Sequence, residues 1–153
     1  APRGLPLLVL GEYGDSRNAY QRRVREAAGA EVRFPGAIYD PASVAALRAH
    51  ARLHLHGHTV GGTNPSLVEA LGAGSPTLAH DNVFNRWVVG HAARFFSGER
   101  HCADVLDSLL GDAPALAALR EAALARHAEA FTWDRVLPRY ERLLLEVTAA
   151  HAP

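Results

Sequence analysis

The sequence predicts an α/β fold with a doubly wound parallel sheet and further helices at its C-terminal end. Up to about residue 96, short apolar runs alternate with segments of helical periodicity, which is the pattern of repeated βα units. From Arg100 onward the periodicity is helical only. A glycine-rich loop near the middle of the chain lies between a short strand and a helix, where such folds place a ligand site.

The first part of the chain predicts two βα units. Residues 5–10 are almost continuously apolar, which is typical of a strand that is covered on both faces. Gly29 marks the end of the first helix, and Asp40 is a favourable N-cap for the second. The predicted elements are a strand at residues 5–10, a helix at 18–28, a strand at 31–34 and a helix that begins at Pro41.

A third strand begins at Leu53, where leucine alternates with histidine. His54, His56 and His58 lie two positions apart, so an extended chain would place all three on one face, an arrangement also known for zinc ligands. We nevertheless predict no metal site. Gly57 interrupts the strand before His58, and no separate carboxylate or cysteine completes the ligand set. We interpret His54 as a structural residue.

A glycine loop follows this strand and leads into a helix. Gly61 and Gly62 permit backbone conformations that a Cβ atom would forbid. Asn64 is a good N-cap and Pro65 is the favoured first helical residue, so we expect a helix over residues 65–72 or 65–74. The N–H groups at the start of this helix should face the loop.

This loop and helix start predict a binding site for a phosphate or a carboxylate. The candidate anion-binding residues are Gly61, Gly62, Thr63 and Asn64. The alternative is a tight βα turn without a ligand; the loop is not a P-loop, because no lysine follows it. Glu69 lies just over one turn into the helix and is a candidate acceptor for ligand hydroxyls, with a plain surface role as its alternative.

The next segment predicts further βα structure followed by helices only. Its elements are a strand at residues 75–80, a helix at 84–89, a strand at 92–96 and, beyond a helical segment from Arg100, an alanine-rich helix at 114–130. Arg86 would lie near the same sheet edge as the glycine loop. It is therefore a candidate partner for an anion there, and a structural arginine is the alternative.

The last helix carries a long apolar stripe after a cap at Thr132. The stripe consists of Val136, Leu137, Tyr140, Leu143, Leu144 and Val147. We expect it to be buried against material beyond the sheet, since it is longer than one edge of a small domain can cover. If no such material is present, we expect the chain to self-associate through this helix.

Composition limits the function classes that fit. The 153 residues are 48% hydrophobic, which suits one domain with an ordinary core. Sixteen basic and sixteen acidic residues balance, so the chain lacks the charge expected of a nucleic-acid-binding protein. The single cysteine, Cys102, rules out an internal disulfide framework, and we expect a cytoplasmic location.

The segment HGHTVGGTNPSLVEALGAG, followed by AHDNVFNR, resembles the donor-binding segment of bacterial glycosyltransferases with two Rossmann-like domains, especially the rhamnosyltransferase-like members. A looser similarity extends from Leu5 to the C-terminal helix. The resemblance implies that residues 1–153 are a single C-terminal nucleotide-sugar-binding domain, Rossmann-like and forming one half of a GT-B fold. It further implies a fragment that lacks the family's first βα unit and the N-terminal acceptor domain.

The resemblance also implies roles for particular residues. Glu69 matches the glutamate that holds the donor's ribose, and His56 and His58 match residues that line the donor cleft. Gly36, Ala37 and Ile38 match backbone that lines the nucleobase pocket. The diphosphate would bind to Gly61, Gly62, Thr63, Asn64 and Arg86.

At two positions this chain departs from its relatives. Many relatives carry a glutamate over the transferred sugar, where this chain has Gly61. They also often show Asn-Arg-Glu where this chain has Asn85, Arg86 and Trp87. The resemblance therefore assigns no catalytic residue.

From the residues and the resemblance together we expect the donor-binding half of a glycosyltransferase that moves a sugar, with rhamnose as one candidate, from a nucleoside diphosphate-sugar to a polysaccharide acceptor. The acceptor would bind to the missing domain, which could bring the full-length protein to the inner face of the membrane. No cofactor and no nucleic acid are expected. The alternative is a stand-alone α/β module that binds a nucleotide or a partner without turnover.

Overall fold

The computed structural model describes residues 4–13 and 18–150 of the chain. Strands and helices alternate as far as the last strand, and only helices follow. In chain order the elements are β1 (Leu7–Leu10), α1 (Ala19–Glu26), β2 (Val32–Gly36), α2 (Pro41–His50), β3 (His54–His56), α3 (Pro65–Gly72), β4 (Thr77–His80), α4 (Val83–Val89), β5 (Ala93–Phe96), α5 (Glu99–Leu110), α6 (Ala113–Ala130) and α7 (Trp133–Ala150).

Contacts divide the chain into two compact units, Ala1–Ala46 and Leu47–Pro153. In the first unit β1 pairs in parallel with β2. Leu7, Leu8 and Leu10 are 43%, 44% and 40% exposed, so the prediction that this strand is covered on both faces is wrong. A pair of short strands offers too little chain to cover both faces of an apolar strand.

The second unit contains a parallel three-stranded sheet in the order β3, β4, β5. His56 lies opposite Ala79, and Ala79 lies opposite Phe95 on the other side. The central strand β4 is buried at Thr77, Leu78 and Ala79, as its position between two strands requires. Because the strands are parallel and in register, β3 and β4 end at the same edge of the sheet.

Two apolar clusters hold this unit together. The first joins α3, α4, the start of β5 and α6, and the second joins β4, the end of β5, α5 and α6. Their buried members are Leu67, Leu71, Val88, Val89, Ala92, Ala93 and Ala123 in the first, and Leu78, Phe96, Leu109, Leu116 and Leu119 in the second. Helix α3 is thereby anchored at Leu67 and Leu71, which fixes the loop that precedes it.

Helix α7 leaves most of its apolar stripe exposed, including Leu137, Tyr140 and Leu144. The expectation that material beyond the sheet buries this stripe, or that the chain self-associates through it, stays a prediction. No helix within residues 4–13 and 18–150 combines the length and the apolar character that a membrane span requires.

The predicted architecture is confirmed: parallel strands alternate with helices in a Rossmann-like α/β fold that ends in helices. Helix α3 begins at Pro65, as its N-cap and proline predict, and α6 and α7 begin within one residue of the expected positions. Each strand is slightly shorter or shifted by one or two residues relative to its apolar run, because ladder hydrogen bonds, and not hydrophobicity, define the strand ends.

Candidate functional site

The glycine loop of residues 57–64 begins at the carboxyl end of β3, beside the end of β4. Its base is tied to the segment after β4 by two amide side chains. Asn82 Nδ2 donates to the His58 carbonyl oxygen at 3.0 Å, and Asn85 Nδ2 donates to the same oxygen at 2.9 Å. The two strand ends are therefore held together at the point where the loop begins.

Asn85 is the central residue of this connection. It is buried, with 3% of its surface exposed, and its Nδ2 also donates to the His80 carbonyl oxygen at 2.9 Å. Its own backbone N–H donates to Asn82 Oδ1 at 2.9 Å, which caps α4. One side chain thus joins the end of β4, the base of the glycine loop and the first turn of α4.

The tip of the loop is different, because its backbone donors are uncommitted. Within the described residues, the N–H groups of Gly61, Gly62 and Thr63 have no hydrogen-bond acceptor. Asn64 occupies the N-cap position of α3, but its Oδ1 accepts from Ser66 Oγ at 2.9 Å and makes no side-chain cap. Pro65 has no N–H group, and the Leu67 and Val68 N–H groups donate to the Asn64 carbonyl oxygen, so the donors available to a ligand are those of the loop just before α3.

The loop also has space around it. A Cβ atom built at Gly57, Gly61 or Gly62 would have no neighbouring atom within 4 Å. Gly61 has φ +121°, which side-chain-bearing residues rarely adopt. The conformation at Gly61 therefore requires glycine, while Gly57 and Gly62 are free of that constraint.

The three histidines lie in a column along β3 and the start of the loop. The ring centroids of His54 and His56 are 6.0 Å apart, and those of His56 and His58 are 4.7 Å apart and stacked. His56 is buried, with 2% of its surface exposed, whereas His58 is exposed. Of the two histidines expected to line a donor cleft, His58 is thus the one that solvent reaches.

Burial keeps the inner histidines neutral. Desolvation, with smaller contributions from His56, Arg48 and His58, lowers the pKa of His54 from 6.5 to about 4. Desolvation and the nearby His58 likewise lower the pKa of His56 to about 4, against a smaller opposing effect of the Asn85 side chain, which favours the protonated ring. Within the described chain, the Nε2 atoms of His54 and His56 are buried without hydrogen-bond partners.

The histidine column has no metal-site geometry. Among the described residues, no group of three or more histidine, cysteine or carboxylate side chains is arranged to hold a metal ion. The rings of His56 and His58 lie face to face, so their nitrogen atoms do not converge on one point.

Glu69 lies in α3 with its side chain 56% exposed. Its Oε2 is 2.7 Å from a guanidinium nitrogen of Arg48, which is at the end of α2. No sequence pattern indicates this pair, because the two residues are 21 positions apart and belong to different helices. The role of Glu69 in holding a ribose remains a prediction.

Arg86 is paired within the chain. Its Nε donates to Asp81 Oδ1 at 2.5 Å and its Nη2 donates to Asp81 Oδ2 at 2.8 Å, while its guanidinium carbon lies 4.4 Å from the ring centre of Phe95. The hydrogen bond to Arg86 lowers the pKa of Asp81, and the same bond raises the pKa of Arg86. These contacts agree with the alternative that Arg86 is a structural residue. Its role in binding a diphosphate stays a prediction.

A groove of about 380 Å³ opens between the glycine loop and α4. Gly62 and Thr63 form one side, and Val83, Phe84 and Trp87 form the other. This apolar wall was not among the predicted site features. The only sign of it in the sequence is the presence of three large apolar residues within the first five positions of a short helix.

Gly36, Ala37 and Ile38 belong to the first compact unit, at and after the end of β2. Gly36 has φ +90° and its carbonyl oxygen accepts from the Gly11 N–H at 3.1 Å. The residues thus follow the carboxyl end of a parallel strand, which is where α/β folds place ligands. Their assignment to a nucleobase pocket stays a prediction.

Comparison with known proteins identifies similar structures only. The chain matches sucrose-phosphate synthase from Thermosynechococcus elongatus with a TM-score of 0.79 and 19% identity, over 94% of this chain and 39% of that one. It matches HepE from Anabaena, in complex with UDP, with a TM-score of 0.74 and 18% identity, over 97% of this chain and 42% of that one. It also matches the GtfA/B complex with a TM-score of 0.71 and 22% identity, over 94% of this chain and 30% of that one.

No protein-family model and no curated protein sequence matches the chain. The chain spans less than half the length of the structures that it resembles. At this level of identity the likeness establishes the fold. The chain has the Rossmann-like α/β fold of one part of these larger proteins.

Proposed function

We propose that the chain is the nucleotide-sugar-binding half of a glycosyltransferase with a GT-B fold, and that the glycine loop binds the donor's diphosphate. The complete enzyme would move a sugar, with rhamnose as our candidate, to a polysaccharide acceptor held by a second domain. The observation that carries the proposal is the set of uncommitted N–H groups at Gly61, Gly62 and Thr63. They lie on a loop whose base is fixed by Asn82 and Asn85.

The chemistry of glycosyl transfer fits such a loop. As the bond to the sugar breaks, negative charge develops on the leaving diphosphate. Fixed N–H groups and the positive end of the α3 dipole stabilise that charge without reorganising. Because Arg86 is paired with Asp81, the loop N–H groups carry most of the binding in this proposal, and Arg86 contributes when a ligand displaces Asp81.

Glu69 and His58 complete the proposed donor site. Glu69 is exposed enough to accept hydrogen bonds from a ribose while its second oxygen stays with Arg48. His58 is the exposed end of the histidine column. The rival proposal, an α/β module that binds a nucleotide without turnover, shares this loop and differs in having no acceptor domain to work with.

Titration calorimetry with UDP and with dTDP tests donor binding. UDP is the first choice because one of the similar structures holds it. We expect a dissociation constant on the order of 0.1 to 1 mM, since a helix terminus contributes only about 0.3 to 2 kcal/mol. The chain alone should transfer no sugar. If neither nucleotide binds at millimolar concentration, the proposed function is wrong, and turnover by this chain alone would contradict the assignment to half an enzyme.

The variant Glu69→Ala tests the ribose contact in the same assay. We expect it to weaken UDP binding by roughly ten- to a hundredfold while leaving inorganic pyrophosphate binding unchanged, because a hydrogen bond to a charged group is worth about 1.5 to 3 kcal/mol. The matched control is Glu129→Ala, which removes another exposed, ion-paired glutamate from α6. Equal losses for UDP and pyrophosphate would show that Glu69 does not hold the ribose.

A further inference from the structure

The groove beside the glycine loop has an unusual wall. Val83, Phe84 and Trp87 on α4 line it, and Trp87 is 59% exposed although it is the largest side chain type in the chain. The groove has a volume of about 380 Å³, which lies within the range of small-molecule sites. Exposed apolar side chains that cluster around a groove of this size commonly mark a contact surface for a ligand.

The Trp87 ring is held in place. It meets the Phe131 ring edge to face, with centroids 6.0 Å apart and an interplanar angle of 77°. Arg126 Nη2 donates to the Trp87 carbonyl oxygen at 2.9 Å, and the Arg126 guanidinium lies 5.4 Å from the Phe131 ring centre. The exposed surface of Trp87 is therefore a fixed platform, which loses little conformational freedom when a ligand covers it.

The charges around the groove favour a neutral group against the α4 wall. Arg86, on the same helix as Trp87, is neutralised by Asp81. The wall opposite the loop is apolar, while the loop side at Gly62 and Thr63 offers backbone N–H groups. An occupant that suits both sides has an anionic part at the loop and an adjoining neutral part with an apolar face against α4.

We infer that this groove is the subsite for the sugar of a nucleoside diphosphate-sugar, and that Trp87 is the residue that recognises the sugar by packing on its C–H face. The inference rests on the proposed function, because it places the sugar next to a diphosphate bound at the glycine loop. One face of a pyranose ring carries mainly C–H groups, which pack on an aromatic ring as other apolar surfaces do. A deoxysugar, with fewer hydroxyls, suits such a wall best.

Fluorescence isolates the proposed contact. The chain contains two tryptophans, so Trp133→Phe leaves Trp87 as the only one. Titration of this variant with UDP-glucose and with dTDP-rhamnose, each compared with its nucleoside diphosphate, should change Trp87 emission only when the sugar is present. At least one nucleotide-sugar should bind about three- to tenfold more tightly than its nucleoside diphosphate.

Variants at Trp87 decide the matter. Trp87→Ala should reduce nucleotide-sugar affinity to that of the nucleoside diphosphate, whose own affinity should not change, and Trp87→Phe should retain most of the difference. If both nucleoside diphosphates bind but neither sugar adds affinity, or if Trp87→Ala weakens both kinds of ligand equally, the sugar subsite is wrong and the proposed function stands. If no nucleotide binds at all, both proposals fail.

Discussion

Substitution of Asn85 by alanine is expected to lower the free energy of unfolding by about 2 to 3 kcal/mol, because the buried side chain donates to two carbonyl oxygens, those of His58 and His80. The variant leaves the His80 carbonyl without this donor at the end of the buried strand β4. It also leaves Asn82 as the remaining tie to the His58 carbonyl. Urea unfolding followed by circular dichroism measures the loss.

The matched control for Asn85→Ala is Asn64→Ala. Asn64 occupies an N-cap position but makes no side-chain cap, so its replacement should cost less than about 0.5 kcal/mol. The Asn85→Ala variant should also bind UDP more weakly, since its loop base is released. Equal destabilisation by the two substitutions would contradict the view that Asn85 ties β4 to the glycine loop.

Acidification from pH 6.5 to pH 5 is expected to lower the free energy of unfolding by about 1.5 kcal/mol for each inner histidine. The pKa of His54 and that of His56 are both lowered in the folded chain, from 6.5 to about 4. The unfolded chain therefore binds protons in this window while the folded chain does not. Stability is complete only well above pH 6.5, where the histidines are neutral in both states, and it falls as the pH drops toward 4.

The double variant in which His54 and His56 are both replaced by glutamine tests the cause. Because the substitutions themselves change the stability at neutral pH, the quantity to compare is the slope of the free energy of unfolding against pH. The slope between pH 6.5 and pH 5 should become nearly flat in the variant. An unchanged slope would assign the acid sensitivity to other groups and contradict the burial of neutral imidazoles.

The start of α3 could be predicted from the sequence because its signals are local. Pro65 and Asn64 specify a helix start through backbone geometry alone, and the glycines before them specify a loop. The alternation of strands and helices is also a local pattern, so the fold class follows from it.

The remaining features of the site depend on contacts between distant residues. The pair of Arg48 and Glu69 joins two helices, and the two bonds from Asn85 require β3 and β4 to be neighbours. Arg86 and Asp81 are close in sequence, but the sequence is equally compatible with Arg86 binding an anionic ligand, so it does not predict their pairing. Side-chain partners of this kind are set by tertiary packing, which periodicity does not encode.

Exposure was the least predictable property. The apolar run of residues 5–10 suggested a strand with two covered faces, yet the leucines of β1 are partly exposed. An apolar pattern states which side chains favour burial but not whether enough chain is present to cover them.

The most direct test of the proposed function is an amide NMR titration of the ¹⁵N-labelled chain with UDP and, separately, with uridine. If the glycine loop binds the diphosphate, the amide resonances of Gly61, Gly62 and Thr63 shift with UDP and hardly move with uridine, because only UDP offers phosphate oxygens to these N–H groups. The control resonance is that of Gly111, at the end of α5. Unchanged loop resonances at saturating UDP, or equal shifts with uridine, would contradict a diphosphate site at this loop.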